Sequence, residues 1–324
     1  MALDPSDDGV AGVDGFVTEA LVSVESEPAP PRRRGRVLDA ALAARPAGRP
    51  PGTAALSPVA AFRRTIGDLD EVLAGLDATG WSAPVEHYDW NVQGLVGHLI
   101  AVERLLGARL GAAPVPPAAD ADHITMSLDV VAAQEGRDPA ATLHDWRAAT
   151  RLAVDALDAA PPDLAERVPF HGVDYRWSSL LVARALEVWT HTDDIRTAAG
   201  LPRVVPDAER LALMTDLAVR TLPLRLAATG HSLAGTARIV LTGPGGGAWT
   251  QALGRADTPS PSPPATPPDP AAEPVEPRVR LVADAVAFCR LSAGRIGVAE
   301  LGATVSGDPV LAAAILGSAA AFAV

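Results

Sequence analysis

The sequence reads Leu186-Glu187-Val-Trp-Thr-His191-Thr-Asp-Asp194-Ile-Arg196 a little past its midpoint. Glu187 and His191 are four residues apart, so a helix through this stretch would carry both side chains on one face. Most of their neighbours are apolar, and a carboxylate buried among them needs a partner. A divalent metal ion would supply that partner, since a carboxylate and an imidazole can bind one such ion together.

A third candidate ligand lies upstream, in Gly97-His98-Leu-Ile-Ala-Val-Glu103. A lone histidine on an apolar helix face is more often a hydrogen-bonded core residue than a ligand, and Glu-x-x-x-His pairs are common on solvated helices. If both helices bury these faces in one bundle, however, the side chains of His98, Glu187 and His191 meet and form a candidate metal site. A buried polar cluster without metal is the alternative.

Four helices with apolar stripes are predicted between residues 57 and 199. Their starts are marked by capping residues or by proline at the first position, namely Ser57-Pro58, Asn91, Asp138-Pro139 and either Ser178 or Ser179. Loops are predicted around His123 and around His171. Helices of this length and pattern favour a four-helix bundle.

The C-terminal part of the chain has a different residue pattern, in which short β-branched runs are separated by glycine-rich and proline-rich stretches. We therefore predict a mainly α fold, a four-helix bundle followed by a small α+β domain. The expected boundaries are a disordered tail at 1–55 with one helix near 36–44, the bundle at 56–204, and the α+β domain at 205–324. A disordered insertion is expected at 256–276.

Composition limits the classes of partner. The formal net charge of −12 disfavours nucleic acids and anionic membranes, and the one dense basic run, residues 32–36, is short. No apolar run reaches the roughly 18 residues that a membrane span needs. The single cysteine, Cys289, allows no disulfide within the chain. We expect a soluble cytoplasmic protein; the sequence leaves its oligomeric state open.

Both candidate stretches resemble a known family. Mycothiol-dependent maleylpyruvate isomerase-like proteins, which have a DinB-like bundle, carry a second-helix signature that is similar to Trp90-Asn-Val-Gln-Gly-Leu-Val-Gly-His98-Leu-Ile-Ala-Val-Glu103. Their fourth-helix signature resembles the stretch 187–196. The resemblance extends over about residues 56–324. It implies that His98, Glu187 and His191 bind the family's metal ion. Zinc is the expected ion, although ligands of this type do not separate it from nickel or iron.

The resemblance also implies a function. Three protein ligands leave zinc a position for water or substrate, and its charge would lower the pKa of a bound thiol. The family's thiol is mycothiol, so we expect a thiol-dependent isomerase or S-transferase acting on a small electrophile. The alternative is a non-catalytic metal-binding module that serves as an interaction or sensor platform.

Several other residues are weaker candidates. Asp194 follows His191 by three residues and is expected either to hydrogen-bond that histidine or to pair with a nearby arginine such as Arg196. Arg290 and Arg295 would suit a carboxylate substrate, or they are surface residues. Glu103 is interpreted as structural or as a rim residue, and Cys289 as a buried inert thiol. The remaining histidines are not predicted to be ligands; they are His87, His123, His144, His171 and His231.

Overall fold

A computed structural model describes residues 56–229, 235–253 and 276–320. The predicted tail at 1–55, with its helix and its arginine run, lies outside these residues. So do His231 and the predicted insertion at 256–276, apart from residue 276. The chain folds as two units, one formed by Leu56–Pro206 and the other containing the described residues from Asp207 onward.

The first unit is a helical bundle, as its sequence predicts. Its four long helices are α1 (Pro58–Gly75), α3 (Val92–Arg109), α5 (Pro139–Ala159) and α6 (Trp177–Ala198). Two shorter helices, α2 (Ala78–Ser82) and α4 (His123–Gln134), and a hairpin of β1 (Arg167–Phe170) and β2 (Val173–Arg176) complete it. Helix α3 packs against α4, α5 and α6, and α1 packs against α6. The fold class is therefore mainly α.

Three of the predicted helix starts are confirmed by hydrogen bonds. The side chains of Ser57, Asn91 and Asp138 each accept a hydrogen bond from a backbone N–H of the first turn that follows. Pro58 and Pro139 occupy the first helical positions, where a missing N–H has no consequence.

The predicted cap of α6 is wrong. This helix begins at Trp177, and neither Ser178 nor Ser179 caps it. The backbone N–H groups of Trp177 and Ser178 instead donate to the carbonyl oxygens of Glu166 and Leu164, at 3.0 and 3.1 Å. Because the main chain already satisfies these donors, no side-chain cap is required.

The two predicted loops of the bundle are also wrong. His123 begins helix α4, which Asp122 caps through its bond to the N–H of Thr125 at 2.9 Å. The apolar residues of this helix are spread around its circumference, and only Ser127 and Gln134 are fully buried, so no single buried face marks it in the sequence. His171 lies in the two-residue turn of the β1–β2 hairpin. Both elements border the site described below.

The second unit contains a four-stranded sheet with the order β4–β3–β5–β6. The strands are β3 (Thr236–Thr242), β4 (Gly247–Ala252), β5 (Val279–Asp284) and β6 (Thr304–Gly307). Strands β3 and β5 are parallel, and the other two pairs are antiparallel. Val305 pairs with Leu281, so β6 forms one edge of the sheet.

Helices complete the second unit and share its core with the sheet. They are α7 (Ala208–Arg220), α8 (Leu222–Ala228), α9 (Ala285–Ser292), a 3₁₀ turn (Val298–Leu301) and α10 (Pro309–Ala320). Pro223 follows the end of α7 and lies in the first turn of α8, where its ring is tolerated. No helix among the described residues has the length and apolar character that crossing a bilayer requires.

Candidate metal centre

The three predicted ligands meet inside the bundle. His98 comes from α3, and Glu187 and His191 come from successive turns of α6. One ligand atom from each lies within 4.8 Å of the others, and all three residues are buried. The packing of α3 against α6 thus joins two motifs that are 89 residues apart in sequence.

Ser127 orients the ring of His98. Its hydroxyl donates to the carbonyl oxygen of Ile124 at 2.8 Å. The hydroxyl oxygen of Ser127 also lies 3.1 Å from Nδ1 of His98. A hydroxyl has one proton, so we assign the donor role to His98 Nδ1. The lone pair of His98 Nε2 then faces the Glu187 carboxylate, with 3.3 Å between Nε2 and Oε1.

Asp194 orients the second histidine, which is one of the two arrangements expected from the sequence. Its Oδ2 lies 3.1 Å from Nδ1 of His191, and both residues are buried. A carboxylate accepts hydrogen bonds, so Nδ1 of His191 carries the proton and Nε2 carries a lone pair. A carboxylate behind a histidine in this way is a common feature of metal sites.

The partner of Glu187 differs from the expectation. The guanidinium of Arg184, one helical turn earlier, donates to Oε2 of Glu187 and, at 2.7 Å, to Oε1 of Glu103. Arg184 and Glu103 are both buried, so Glu103 is structural and does not belong to a rim. The chain itself therefore neutralises Glu187, and a metal ion is not needed to explain why a carboxylate lies there.

The charges of this cluster follow from burial and from Arg184. Burial opposes the ionisation of Glu187, but the Arg184 guanidinium and then His98 outweigh it and lower the pKa of Glu187 well below its usual value. Burial raises the pKa of Glu103 despite the same guanidinium. Burial also lowers the pKa of His98 and His191 by more than their acidic partners raise it. The centre thus has two neutral imidazoles and one carboxylate.

The donor set fits a divalent cation. Two imidazole nitrogens and one carboxylate oxygen match the ligand chemistry of zinc, and they leave one position of a tetrahedron for another ligand. Ligand atoms about 2.1 Å from a tetrahedral ion lie about 3.4 Å apart, close to the 3.3 Å between His98 Nε2 and Glu187 Oε1. A cation between them would also remove the repulsion between two facing lone pairs.

Comparison with known proteins finds a family model that matches most of the bundle. Residues 62–196 match a family model described as the mycothiol maleylpyruvate isomerase N-terminal domain. The match begins in α1, ends in α6 and includes all three candidate ligands. Over these residues, which are less than half of the chain, the bundle is similar to that domain family.

Individual proteins that resemble the chain are more distant. Two uncharacterized proteins, from two strains of Mycobacterium tuberculosis, are 28% identical over 197 residues, which is 59% of this chain and 75% of theirs. Crystal structures of the mycothiol-dependent maleylpyruvate isomerase and of a mutant are 15% identical, with TM-scores of 0.49 and 0.48; each match covers 77% of this chain and 91% of the other.

The bundle also contains rings near the candidate centre that the sequence analysis missed. Trp90 stacks on His98 with ring centroids 5.7 Å apart, and Tyr88 lies 5.8 Å from His191. His123 contacts the ring of His98 at 5.5 Å, and the ring of His171 lies 6.0 Å from that of His123. Neither His123 nor His171 belongs to the ligand group, but both extend the ring cluster around it.

The remaining candidates lie in the second unit. Arg290 and Arg295 belong to α9 and the turn after it, where Arg295 donates to the carbonyl oxygen of Ala293 at 2.7 Å. Their proposed contact with a substrate stays a prediction. Cys289 is completely buried, and burial raises the pKa of its thiol to about 12, so it is not an available nucleophile near neutral pH.

Proposed function

We propose that this protein is a metal- and thiol-dependent enzyme, with His98, Glu187 and His191 binding one divalent ion, zinc being the expected one. The supporting observation is the convergence of three buried ligand atoms within 4.8 Å inside a domain similar to that of the maleylpyruvate isomerase family. The expected cosubstrate is mycothiol. The reaction is either the isomerisation of a small electrophilic compound or transfer of the thiol to it.

The metal ion would supply a coordination position for the thiol and would stabilise its thiolate form near neutral pH. Neighbouring side chains orient the three candidate ligands through hydrogen bonds. Arg184 engages Oε2 of Glu187, so only Oε1 is directed at His98. Ser127 and Asp194 fix the two imidazoles with Nε2 available as a ligand. These hydrogen bonds hold the donor atoms in a fixed arrangement.

The thiol must come from outside the described chain, because Cys289 is buried with a raised pKa. The aromatic rings of Tyr88 and Trp90 lie beside His191 and His98 and would limit the access of bulk water. A thiolate in such a setting is a nucleophile that can add to an electrophilic carbon. Elimination after rotation gives isomerisation, whereas retention of the new C–S bond gives S-transfer.

The alternative function is a non-catalytic module in which the metal is structural or the bundle is an interaction platform. The Arg184 contact favours the enzyme, because it neutralises Glu187 without a metal ion. A structural metal site is usually required for folding. Here we expect the metal-free bundle to keep its helical circular dichroism and to unfold cooperatively.

Turnover tests the proposal directly. The purified protein, loaded with zinc, is assayed with maleylpyruvate and with other small electrophiles, in the presence and absence of mycothiol. We expect a reaction that requires both metal and thiol and is lost in His191→Ala. The matched control is His144→Ala, which removes an exposed histidine outside the centre and is expected to retain full activity.

Two results would contradict the proposal in different ways. Turnover that persists without any thiol would remove the thiol-dependent mechanism. Loss of helical structure on chelation, with no turnover of any substrate, would instead support the structural role of the metal.

A further inference from the structure

The hairpin between α5 and α6 directs one histidine toward the candidate centre. Phe170 pairs with Val173 at the end of the hairpin, so His171 and Gly172 form a two-residue turn. Both have left-handed backbones, with φ of 50° and 72°. Within the described ranges, His171 is the only non-glycine residue with positive φ.

Histidine is not the residue that such a turn favours. Two-residue hairpin turns with positive φ at both positions prefer Asn-Gly or Asp-Gly, because asparagine and aspartate tolerate the left-handed region best. The position is therefore less favourable for local structure than it would be with asparagine. Backbone strain of this kind often accompanies a functional side chain.

One ring nitrogen of His171 makes a hydrogen bond to the main chain, and the other has no hydrogen-bond partner among the described residues. Nδ1 lies 3.1 Å from the carbonyl oxygen of Ala121, which can only accept a hydrogen bond, so Nδ1 carries the proton. Burial lowers the pKa of His171 to about 4, and the ring is neutral near pH 7. Nε2 is then a buried lone pair, and no described residue donates a hydrogen bond to it. A buried acceptor without a donor is unfavourable.

Ring contacts connect the imidazole of His171 to the candidate centre. The ring of His171 contacts that of His123, which contacts the candidate ligand His98. The charges of Glu187 and Arg184 also act on the His171 ring. His171 is nevertheless outside the group of three ligand atoms. Its available acceptor therefore suits a molecule bound at the centre better than the ion itself.

We propose that His171 is a ligand-binding residue of this site, whose Nε2 accepts a hydrogen bond from an O–H or N–H group of the thiol cosubstrate. The inference rests on the proposed function, because it needs a thiol at the metal centre. It explains why a neutral imidazole occupies a turn position that favours asparagine.

Two substitutions separate the two nitrogens. His171→Asn keeps a side-chain N–H that can donate to the Ala121 carbonyl oxygen, suits a left-handed backbone and removes the acceptor at Nε2. His171→Gln places an amide oxygen near the position of Nε2. Thermal unfolding should show that His171→Asn is as stable as the wild type or more stable, which a purely structural role of the imidazole would not predict.

Thiol binding is measured on cobalt-loaded protein, where thiolate coordination produces a ligand-to-metal charge-transfer band. Mycothiol is titrated into wild type, His171→Asn and His171→Gln. We expect about tenfold weaker binding in His171→Asn, the typical effect of losing one hydrogen bond, and affinity near that of the wild type in His171→Gln. Cobalt content should be equal in all three.

The outcomes distinguish the inference from the function on which it rests. A normal thiolate band with unchanged mycothiol affinity in a folded His171→Asn protein would overturn the role of His171 alone. Absence of bound cobalt, or of a thiolate band, in the wild type would overturn the proposed function and with it this inference. Reduced cobalt binding in His171→Asn would also overturn it, since His171 would then act on the metal.

Discussion

The two units bury their ionisable side chains in different ways. In the bundle, seven such residues are buried and lie on α3 and α6: His98, Glu103, Arg184, Glu187, His191, Asp193 and Asp194. Among the described residues of the second unit, the buried acids, bases and histidines are only Arg210 and Arg225. Its core is otherwise formed by apolar side chains from β3, β5, α9 and α10.

The partners of these residues explain the difference. Arg210 pairs with Asp207 at the start of α7, and Arg225 donates to the carbonyl oxygen of Ala319, so both act at helix ends. In the bundle, Arg184 is surrounded by other ionisable groups, with Glu103 and Glu187 sharing its guanidinium. Buried charge of this density is seldom favourable for stability alone, and it indicates that the bundle holds the chemistry.

The most direct way to break this comparison is to remove Arg184. Arg184→Met would leave Glu103 and Glu187 without their shared counter-charge in a buried environment. We expect the free energy of unfolding of the metal-free protein to fall by about 3–5 kcal/mol. Urea denaturation followed by tryptophan fluorescence would report it, since Trp146 is buried in the bundle.

The control for this substitution is Arg147→Met. Arg147 forms a two-fold hydrogen bond with Asp70, at 2.7 and 2.9 Å, but the pair is partly exposed. Its loss should change stability by no more than about 1 kcal/mol. Equal losses in the free energy of unfolding would mean that Arg184 stabilises the buried cluster no more than Arg147 stabilises its surface ion pair.

A pH titration sharpens the comparison for His171. Burial lowers its pKa from 6.5 to about 4, so between these values the unfolded chain binds more protons than the folded chain. The stability of the metal-free protein should therefore decrease as the pH falls from 6.5 toward 4, by at most roughly 3 kcal/mol from this residue. His171→Asn should show a shallower decrease over the same range. Parallel curves for the two proteins would contradict the burial of this imidazole.

A smaller effect is expected from Asp194→Asn. The asparagine can still accept a hydrogen bond from Nδ1 of His191 but carries no charge. It therefore raises the basicity of the ligand histidine less than the aspartate does. Metal affinity should fall by about 10–100-fold, measured by competition with a chromophoric chelator. The control Asp70→Asn removes an acidic group paired with Arg147 and should leave metal affinity unchanged. Unaltered affinity in Asp194→Asn would contradict the supporting role of its hydrogen bond.

The parts of the fold that depend on local chemistry are readable in the sequence. The caps Ser57, Asn91 and Asp138 follow from side-chain hydrogen bonding to the next turn. Asp194 and His191 are three residues apart on one helix, so their contact was one of two arrangements that spacing allowed. Arg184 stands at the same spacing before Glu187, and its pairing could have been predicted from that signal.

The parts that depend on distant contacts were not readable. The apolar residues of helix α4 lie on several faces of it, and its N-cap Asp122 is the clearest local signal of the helix. Ser127 reaches His98 because α4 packs against α3, a contact over 29 residues of sequence. His171 reaches the centre through the hairpin and through its bond to Ala121, which is 50 residues away. No periodicity encodes such contacts.

The metal content of the purified protein shows directly whether His98, Glu187 and His191 bind a metal ion. Wild type, His191→Ala and His144→Ala are purified, incubated with zinc, freed of excess metal and analysed by elemental mass spectrometry. We expect about one zinc per chain in wild type and in His144→Ala, and none in a folded His191→Ala protein. Wild-type protein without zinc, or a His191→Ala protein that retains stoichiometric zinc, would contradict this expectation and reduce the three residues to a buried polar cluster.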